Sequence, residues 1–143
     1  MSNQITKSII VSEDPASLYA TWLNFENHPK FMDHIKSVTS KGPDTNHWVM
    51  EGPLNTTLEW TTKTTRLEPN RRIAWKTIDG DLKTSGQVTF TSLPQNQTEI
   101  TVTSQTTPPK DLMERTAFLF ENEEKQWEEN LRRFKAIMEE RSV

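Results

Sequence analysis

Glu123 is the residue whose position most favours acid–base chemistry. It lies one helical turn from both Phe120 and Trp127, on a stripe where an apolar residue is expected. A carboxyl group that faces a low-dielectric pocket has a raised pKa, so it can hydrogen-bond a ligand or act as an acid or base. The alternatives are that helix curvature or a threonine partner leaves Glu123 solvated, or that Glu124 takes the outer position and Glu123 lies at the margin. The catalytic residue is therefore unknown, with Glu123 as the candidate.

Aromatic side chains and hydroxyls alternate along the middle of the chain and return in its last helix. Strand and helix periodicity predicts that one group of them faces a common interior. The members of this group are Trp48, Trp60, Thr62, Trp75, Thr77, Phe90, Ser104, Phe120, Glu123 and Trp127. A cavity lined by rings and a few hydroxyls suits an apolar or aromatic ligand with one or two polar groups. The alternative is that the rings simply fill the core.

Metal and nucleophile chemistry find little support in the sequence. The histidines His28, His34 and His47 are far apart and form no His-x-x-x-His or Glu-x-x-His pair, so no metal is expected. His28 is expected to help start a short helix, and His34 to lie at the surface near the pocket entrance. Cysteine is absent, there is no Gly-x-Ser-x-Gly motif, and the four glycines form no phosphate-binding loop. We therefore expect no cofactor.

The composition predicts one domain, residues 1–143, and excludes several classes of function. The 143 residues suffice for a core without disulfides or metal. Seventeen basic and twenty acidic residues are scattered along the chain, so no basic stripe favours nucleic acid. No apolar run approaches the roughly 20 residues that a membrane span needs. Absence of cysteine is compatible with a reducing compartment, and we expect a cytoplasmic monomer or weak homodimer.

The N-terminal elements are a strand and a short helix. Ile5, Ile9 and Val11 partly alternate with polar residues and indicate the strand. Asp14 before Pro15 is typical of a helix start. Tyr19, Trp22 and Leu23 recur at helical spacing, Asn27-His28-Pro29 interrupts the helix, and a further helical turn is predicted at Lys30-Phe31-Met32.

The middle of the chain predicts six sequential strands. Turn residues, such as those in Gly42-Pro43-Asp44 and Asp79-Gly80, separate segments rich in threonine, valine and tryptophan. The predicted strands are Ile35–Lys41, His47–Glu51, Thr56–Leu67, Arg72–Ile78, Thr84–Leu93 and Thr98–Ser104. Because the connections are short, an antiparallel meander follows.

The end of the chain predicts one long helix. Pro108-Pro109 ends the last strand, and Asp111 with Glu114 resembles a capping box. The apolar stripe of this helix comprises Thr116, Phe120, Trp127, Leu131, Phe134 and Met138.

The chain resembles the START-like polyketide cyclase/dehydrase and lipid-transport superfamily (SRPBCC), whose architecture is the helix-grip fold. The carrying segments are Asp14-Pro15 with Leu18-Tyr19 and Trp22, Asn24-Phe25-Glu26-Asn27-His28-Pro29-Lys30-Phe31-Met32, Glu68-Pro69-Asn70-Arg71-Arg72-Ile73-Ala74-Trp75-Lys76 before Asp79-Gly80, Thr107-Pro108-Pro109, and Leu131-Arg132-Arg133-Phe134-Lys135. Together they span nearly the whole chain. The resemblance implies an α+β fold in which a curved seven-stranded antiparallel sheet wraps around the C-terminal helix, with two short helices after the first strand.

The resemblance also implies a pocket between sheet and helix, as in relatives that hold lipids, quinones, polyketides or hormones. Two departures stand out. Lys110-Asp111-Leu112 follows the Pro-Pro pair where cyclase-type relatives often carry glycines. Tyr19 is the single tyrosine, and no Tyr-His-Arg cluster of aromatic-polyketide cyclases is present.

Three functions follow in order of support. The first is binding or transport of a small hydrophobic ligand such as a lipid, a quinone or an aromatic polyketide-like molecule. The second is a cyclase or dehydratase that uses Glu123 with threonine hydroxyls of the same pocket. The third is an interaction or stress-related protein with a vestigial pocket filled by its own side chains. Fold resemblance alone does not decide among them, because one architecture serves many activities.

Overall fold

The computed structural model describes residues 3–52, 56–107 and 123–141. Seven strands, two α-helices and one 3₁₀ helix make up this part of the chain. In chain order they are β1 (Asn3–Val11), α1 (Pro15–Leu23), the 3₁₀ helix (Phe25–Lys30), β2 (Ile35–Gly42), β3 (Thr45–Gly52), β4 (Thr56–Glu68), β5 (Arg72–Gly80), β6 (Lys83–Leu93), β7 (Gln97–Thr107) and α2 (Glu123–Arg141). The predicted order of elements is confirmed, and the capping box at Asp111 and Glu114 lies outside the described residues.

The strands form one antiparallel sheet in the order β1-β7-β6-β5-β4-β3-β2. Strands β2 to β7 follow one another as a meander because connections of two or three residues join them. Strand β1 returns to pair with β7 along its whole length, from Asn3 opposite Thr106 to Val11 opposite Thr98. The sheet and the helix packed on it confirm the predicted helix-grip architecture.

Helix α1 begins where the sequence predicts. The Asp14 side chain accepts a hydrogen bond from the Ser17 backbone N–H at 3.0 Å, and Pro15 occupies the first turn. The predicted turn at Lys30-Phe31-Met32 was wrong by a few residues, because the 3₁₀ helix already ends at Lys30. At its two ends the backbone N–H groups of Asn27 and Phe31 donate to the carbonyls of Asn24 and His28.

The main core lies between α2 and the sheet. The predicted stripe residues Leu131, Phe134 and Met138 are buried there, while Thr116 and Phe120 lie outside the described residues. The other fully or nearly fully buried members are Val11, Leu18, Tyr19, Trp22, Phe31, Ile73, Val88, Phe90, Ile100 and Val102. A second apolar cluster, formed by Ile35, Val38, Trp48, Leu58, Trp60 and Leu82, covers the other end of the sheet. The cavity described next lies where these two clusters approach each other.

Candidate ligand-binding cavity

A cavity of about 120 Å³ lies between the sheet and the start of α2. Its wall combines rings, aliphatic side chains and a smaller number of polar groups. The described lining residues are Trp22, Phe25, His28, Met32, His34, Ile35, Trp48, Met50, Trp60, Thr62, Trp75, Leu82, Thr84, Ser104, Thr106, Glu123, Gln126, Trp127 and Asn130. An engineered apolar cavity of about 150 Å³ binds benzene, so this space has the size of a small ring. The rings of the wall therefore do not close the interior completely.

All five tryptophans of the chain line this one cavity. They come from five different elements: Trp22 from α1, Trp48 from β3, Trp60 from β4, Trp75 from β5 and Trp127 from α2. Trp48 and Trp60 are directly opposite in the β3–β4 ladder, and their rings stack at 6.0 Å with planes 8° apart. Aromatic residues so far apart in sequence meet here because every second residue of each strand faces the same side.

Gly86 leaves space for the ring of Trp75. The two residues are direct partners in the β5–β6 ladder. A Cβ atom added at Gly86 would approach a ring carbon of Trp75 to 2.9 Å and the Thr103 carbonyl oxygen to 2.3 Å. The missing side chain on β6 thus provides the room that the Trp75 indole occupies beside the cavity.

The two ends of β6 and β7 differ in polarity on the inner face. Toward the cavity the inward residues are Thr84 on β6 with Ser104 and Thr106 on β7, and the hydroxyls of Thr84 and Thr106 are 3.4 Å apart. Farther along the same strands the inward residues are aliphatic or aromatic and belong to the main core. The hydroxyls therefore mark the part of the sheet that faces the cavity.

Thr62 orients one of the tryptophans. Its hydroxyl accepts a hydrogen bond from Trp48 Nε1 at 2.8 Å, and both side chains are buried. This bond satisfies the indole N–H away from water. Trp60 differs, because its Nε1 is buried and has no hydrogen-bond partner. The wall thus contains one indole donor whose bonding capacity is unused.

Glu123, at the first described turn of α2, is the one carboxylate among the described lining residues. Burial raises the pKa of Glu123 to about 7, and a hydrogen bond with the Thr106 side chain acts against this rise. Its neighbour Glu124 has a side chain that is 70% exposed and lies 3.6 Å from Lys7. Of these two neighbouring carboxylates, Glu123 thus faces the cavity and Glu124 the solvent.

His28 is the most deeply buried polar side chain of the wall. It is 3% exposed and packs among the rings of Trp22, Phe25, Phe31 and Trp48, with centroid separations from 4.9 to 5.5 Å. Its Nε2 lies 2.8 Å from the Trp22 carbonyl oxygen. Because a carbonyl only accepts, Nε2 carries the proton, and Nδ1 is a bare acceptor without a partner. Burial lowers the pKa of His28 to about 4, against the effect of the bond to Trp22, so the ring is neutral at physiological pH.

Seven of the ten predicted site residues lie together in the cavity wall: Trp48, Trp60, Thr62, Trp75, Ser104, Glu123 and Trp127. Phe90 lies in the main core instead, where its ring meets those of Tyr19 and Trp22 at 6.0 and 6.4 Å. Thr77 follows the last β5–β6 pair, Lys76 with Ser85, and its hydroxyl accepts a bond from the Thr84 backbone N–H at 2.9 Å. Phe120 lies outside the described residues. The role of all ten in binding stays a prediction.

Sequence reasoning missed two histidines of the wall, His28 and His34. His34, expected at the surface near the pocket entrance, is half-buried in the cavity wall, and His28 does more than start a helix. The sequence pattern that could have revealed His28 is the group of aromatic residues around it, Trp22, Phe25 and Phe31. The 3₁₀ helix brings these rings together. Across residues 3–52, 56–107 and 123–141, no group of three His, Asp or Glu side chains is placed to hold a metal ion.

The family model described as "Polyketide cyclase / dehydrase and lipid transport" matches residues 11–131. The chain belongs to this family. The resemblance inferred from the quoted motifs is thereby confirmed. This member of the polyketide cyclase/dehydrase family has a curated relative in Streptomyces lincolnensis. The relative is an uncharacterized 17.2 kDa protein from the melC2-rnhH intergenic region. It is 27% identical over 139 residues, which cover 97% of this chain and 91% of the relative.

Solved structures resemble this family member over nearly their whole lengths. A protein of Deinococcus radiodurans is 26% identical with a TM-score of 0.74, covering 94% of this chain and 95% of the other. A START superfamily protein of Mycobacterium smegmatis is 15% identical with a TM-score of 0.75, covering 96% and 97%. The Zhui aromatase/cyclase of Streptomyces sp. R1128 is 14% identical with a TM-score of 0.76, covering 100% and 97%. The last two similarities concern the fold alone.

Within the part of the chain that the structure describes, no helix is long and apolar enough to cross a membrane.

Proposed function

We propose that this protein binds or transports a small hydrophobic molecule bearing one or two polar groups, held in the cavity between the sheet and α2. The observation that carries the proposal is that all five tryptophans line one cavity of about 120 Å³. Tryptophans that only filled the core would leave no such space between them. Typical sites for drug-sized ligands measure roughly 300–1,000 Å³, so the described walls favour one ring or a group of similar size. A lipid, a quinone or an aromatic polyketide-like molecule would place such a part of itself here.

Membership in a family described by cyclase, dehydrase and lipid-transport activities supports a ligand-binding cavity. The polar wall groups supply the orientation that such sites need. The unused Trp60 Nε1–H is a donor and the unused His28 Nδ1 is an acceptor, and both belong to residues of the wall. Both atoms are fully covered, so a hydroxyl or carbonyl group of a ligand would bond first to the wall hydroxyls of Thr84, Ser104 and Thr106.

The first experiment is native mass spectrometry of the freshly purified protein, followed by calorimetric titration with 4-methylphenol as a one-ring probe. We expect either a co-purifying apolar molecule or saturable binding of the probe. Trp75→Leu should weaken binding about tenfold or more, because stacking contacts of a ring with an aromatic wall are worth about 1 kcal/mol or more. Ile78→Ala on the same strand is the matched control, since Ile78 is 51% exposed and outside the wall. A protein that carries no apolar molecule and binds neither the phenol nor other apolar probes would contradict the proposal.

An acid–base enzyme of the cyclase or dehydratase type is the second candidate, favoured by Glu123. A carboxyl group with a pKa of about 7 is present in both protonation states near neutral pH, so it can remove a proton in one step and return it in another. With an assay for a cyclisation or dehydration substrate, Glu123→Gln should lower kcat while the circular dichroism spectrum stays unchanged. An unchanged rate in that variant would remove Glu123 from the mechanism.

We also propose that the chain is a single cytoplasmic domain, a monomer or weak homodimer that does not bind nucleic acid. The support is compositional: no cysteine, and a net charge of −3 without a basic stripe. Light scattering after size-exclusion chromatography tests the oligomeric state, fractionation of cells tests the localisation, and a gel-shift assay with duplex DNA tests nucleic-acid binding.

A further inference from the structure

We propose that the cavity selects a ligand carrying an ammonium group over neutral and anionic ligands of the same shape. This inference rests on the proposed binding function and names the chemical class of the ligand. It comes from one juxtaposition: five tryptophans and, among the described lining residues, a single carboxylate, Glu123, line the same small space. No lysine or arginine occurs among the lining residues that the structure describes.

The tryptophan rings themselves favour a cation. The face of an aromatic ring carries negative electrostatic potential, and tryptophan has the strongest such attraction for ammonium groups among the aromatic residues. Several ring faces around one cation add their attractions, and the effect grows when water is excluded. Trp48, Trp60 and Trp22 are at most 8% exposed, so the attraction acts in a desolvated place.

The ionisable groups of the wall point to the same ligand charge. Glu123 supplies the negative charge when it is ionised, the buried ring of His28 is neutral, and His34 is the other ionisable side chain of the described wall. Nδ1 of His28 is an unpartnered lone pair, which adds an acceptor and no positive charge. An anionic ligand would meet Glu123 without any lysine or arginine of the described wall to offset the repulsion. A cationic ligand would neutralise a carboxylate that burial otherwise disfavours.

Two basic side chains of α2 and β1, Arg133 and Lys7, are engaged outside the cavity. Arg133 pairs with Asp33 at 3.2 Å and also donates to the Phe31 carbonyl and to Asn130 Oδ1. Lys7 pairs with Glu128 at 2.9 Å and lies 3.6 Å from Glu124. Neither residue belongs to the cavity wall. Neither of these two residues thus supplies a positive charge beside Glu123, whereas a cationic ligand can.

The test compares three molecules of one shape and different charge, at pH 8 where Glu123 is mostly ionised. Choline is the cation, 3,3-dimethylbutan-1-ol its neutral isostere and 3,3-dimethylbutanoate the anion. By calorimetry or ligand-observed NMR, choline should bind about tenfold tighter than the alcohol, and the anion should bind weakest. Choline and the alcohol differ only in the charge of the quaternary centre, and the anion carries its charge at the other end of the same branched group.

Two variants distinguish the effect of the Glu123 carboxylate from the effect of the protein's overall charge. Glu123→Gln should reduce the preference for choline over the alcohol several-fold, and an unchanged circular dichroism spectrum checks that the variant is folded. Glu124→Gln removes the same charge from the neighbouring, exposed position and should retain the preference. Equal reduction in both variants would overturn the role of Glu123.

The remaining outcomes distinguish this inference from the binding function itself. If the alcohol binds as tightly as choline, or if only 4-methylphenol binds, the ammonium inference is overturned and the binding function stands. If none of the four probes binds, and the purified protein carries no apolar molecule, the binding function fails and this inference fails with it.

An ammonium group can belong to a free molecule or to a lipid headgroup, and one further comparison distinguishes the sources. Dihexanoyl phosphatidylcholine is used below its micelle concentration, with dihexanoyl phosphatidylglycerol as the partner that lacks the cation. Tighter binding of the choline lipid than of choline itself would indicate a headgroup. Binding of choline alone would indicate a free molecule, and either result supports the selection of ammonium.

Discussion

At the scale of single residues, two wall groups have pKa values moved in opposite directions by the same cause. Burial disfavours the charged form of both, so it lowers the pKa of His28 to about 4 and raises that of Glu123 to about 7. The ordinary values are 6.5 for histidine and 4.5 for glutamate. Both groups are therefore mainly neutral in the folded protein between about pH 4.5 and 6.5, where both are charged in the unfolded chain.

His28 should make the protein less stable on acidification. Below pH 6.5 the unfolded chain takes up a proton that folded His28 refuses until about pH 4, so the free energy of unfolding falls as the pH falls. At pH 5 this penalty is about 2 kcal/mol. His28→Gln should lose less unfolding free energy than the parent when the pH falls from 7 to 5. The difference should be about 2 kcal/mol. Urea unfolding at both pH values measures it, and an unchanged pH dependence would contradict a neutral, buried His28. His47→Gln, at a position outside the cavity wall, is the control.

Glu123 should act in the opposite sense. The folded state holds a proton on Glu123 up to about pH 7, whereas the unfolded chain releases it near pH 4.5, so the stabilisation present at low pH is lost as the pH rises through 7. Glu123→Gln should therefore lose more stability than the parent when the pH falls from 7 to 5. Direct titration of the carboxyl by NMR gives the same information, and a pKa near 4.5 would show that Glu123 is solvated.

At the scale of elements, the β5–β6 pair is built around a glycine. Gly86 has neighbours on both sides: the Trp75 ring on β5 and the backbone of Thr103 and Ser104 on β7. A side chain at this position can displace the ring, which can rotate, but not the backbone oxygen of Thr103.

Gly86→Ala should therefore destabilise the fold and alter the cavity together. The added methyl group would stand 2.3 Å from the Thr103 oxygen, so we expect a loss of about 1–3 kcal/mol in the free energy of unfolding. Gly42→Ala is the matched control, since a Cβ atom at Gly42 meets nothing within 4 Å. Chemical denaturation of both variants decides the point, and equal stabilities would contradict the packing of Trp75 over Gly86.

Helix α2 is held beside the cavity by Arg133. Its Nε donates to the Phe31 carbonyl at 3.0 Å, and two further nitrogens reach Asp33 and Asn130. Since Asn130 lines the cavity, this arginine connects the position of the helix to the shape of the wall.

Arg133→Met should cost about 1–3 kcal/mol, because the partly buried Phe31 carbonyl and Asn130 amide lose their charged donor. Arg132→Met removes the same charge from an exposed position of the same helix and should change stability by less than about 0.5 kcal/mol. Denaturant midpoints measure both. Indistinguishable values for the two variants would show that Arg133 does not anchor the helix.

At the scale of the whole molecule, rings are divided between a closed core and a cavity wall. Phe134 is fully buried, with its centroid 5.2 Å from that of Trp22 and 5.0 Å from that of Phe31. Trp127, two turns earlier on the same helix, is only partly buried and lines the cavity. Stability and binding should therefore depend on different positions of α2.

Phe134→Ala should cost about 3–5 kcal/mol of stability, which is typical of a ring removed from a packed core. Trp127→Ala should cost less stability yet lower the affinity for an aromatic probe, because one side of this ring faces the cavity. Paired measurements of unfolding free energy and probe affinity test this division. If Trp127→Ala lost more stability than Phe134→Ala, the Trp127 ring would be packed in the core and would not border a cavity.

Local chemistry by itself determined the elements of this protein. Alternation of polar and apolar residues predicted each strand to within a few residues, and Asp14 with Pro15 predicted the start of α1, because capping and periodicity depend on neighbours in sequence. The motif order likewise predicted the family and the seven-stranded helix-grip sheet. Alternation also assigned most wall residues to the inner face.

Only the tertiary structure decided which inward residues border the cavity and which close the core. Phe90 and Trp75 both face inward on neighbouring strands, yet Phe90 meets α1 while Trp75 lies over Gly86 beside the cavity. Strand period distinguishes the two faces of a sheet but not positions along its length. His28 shows the same limit, because its burial comes from rings that α1, β3 and its own 3₁₀ turn bring together. Burial, and with it the pKa of His28 and Glu123, is a property of the assembled packing, so it has no counterpart in local sequence.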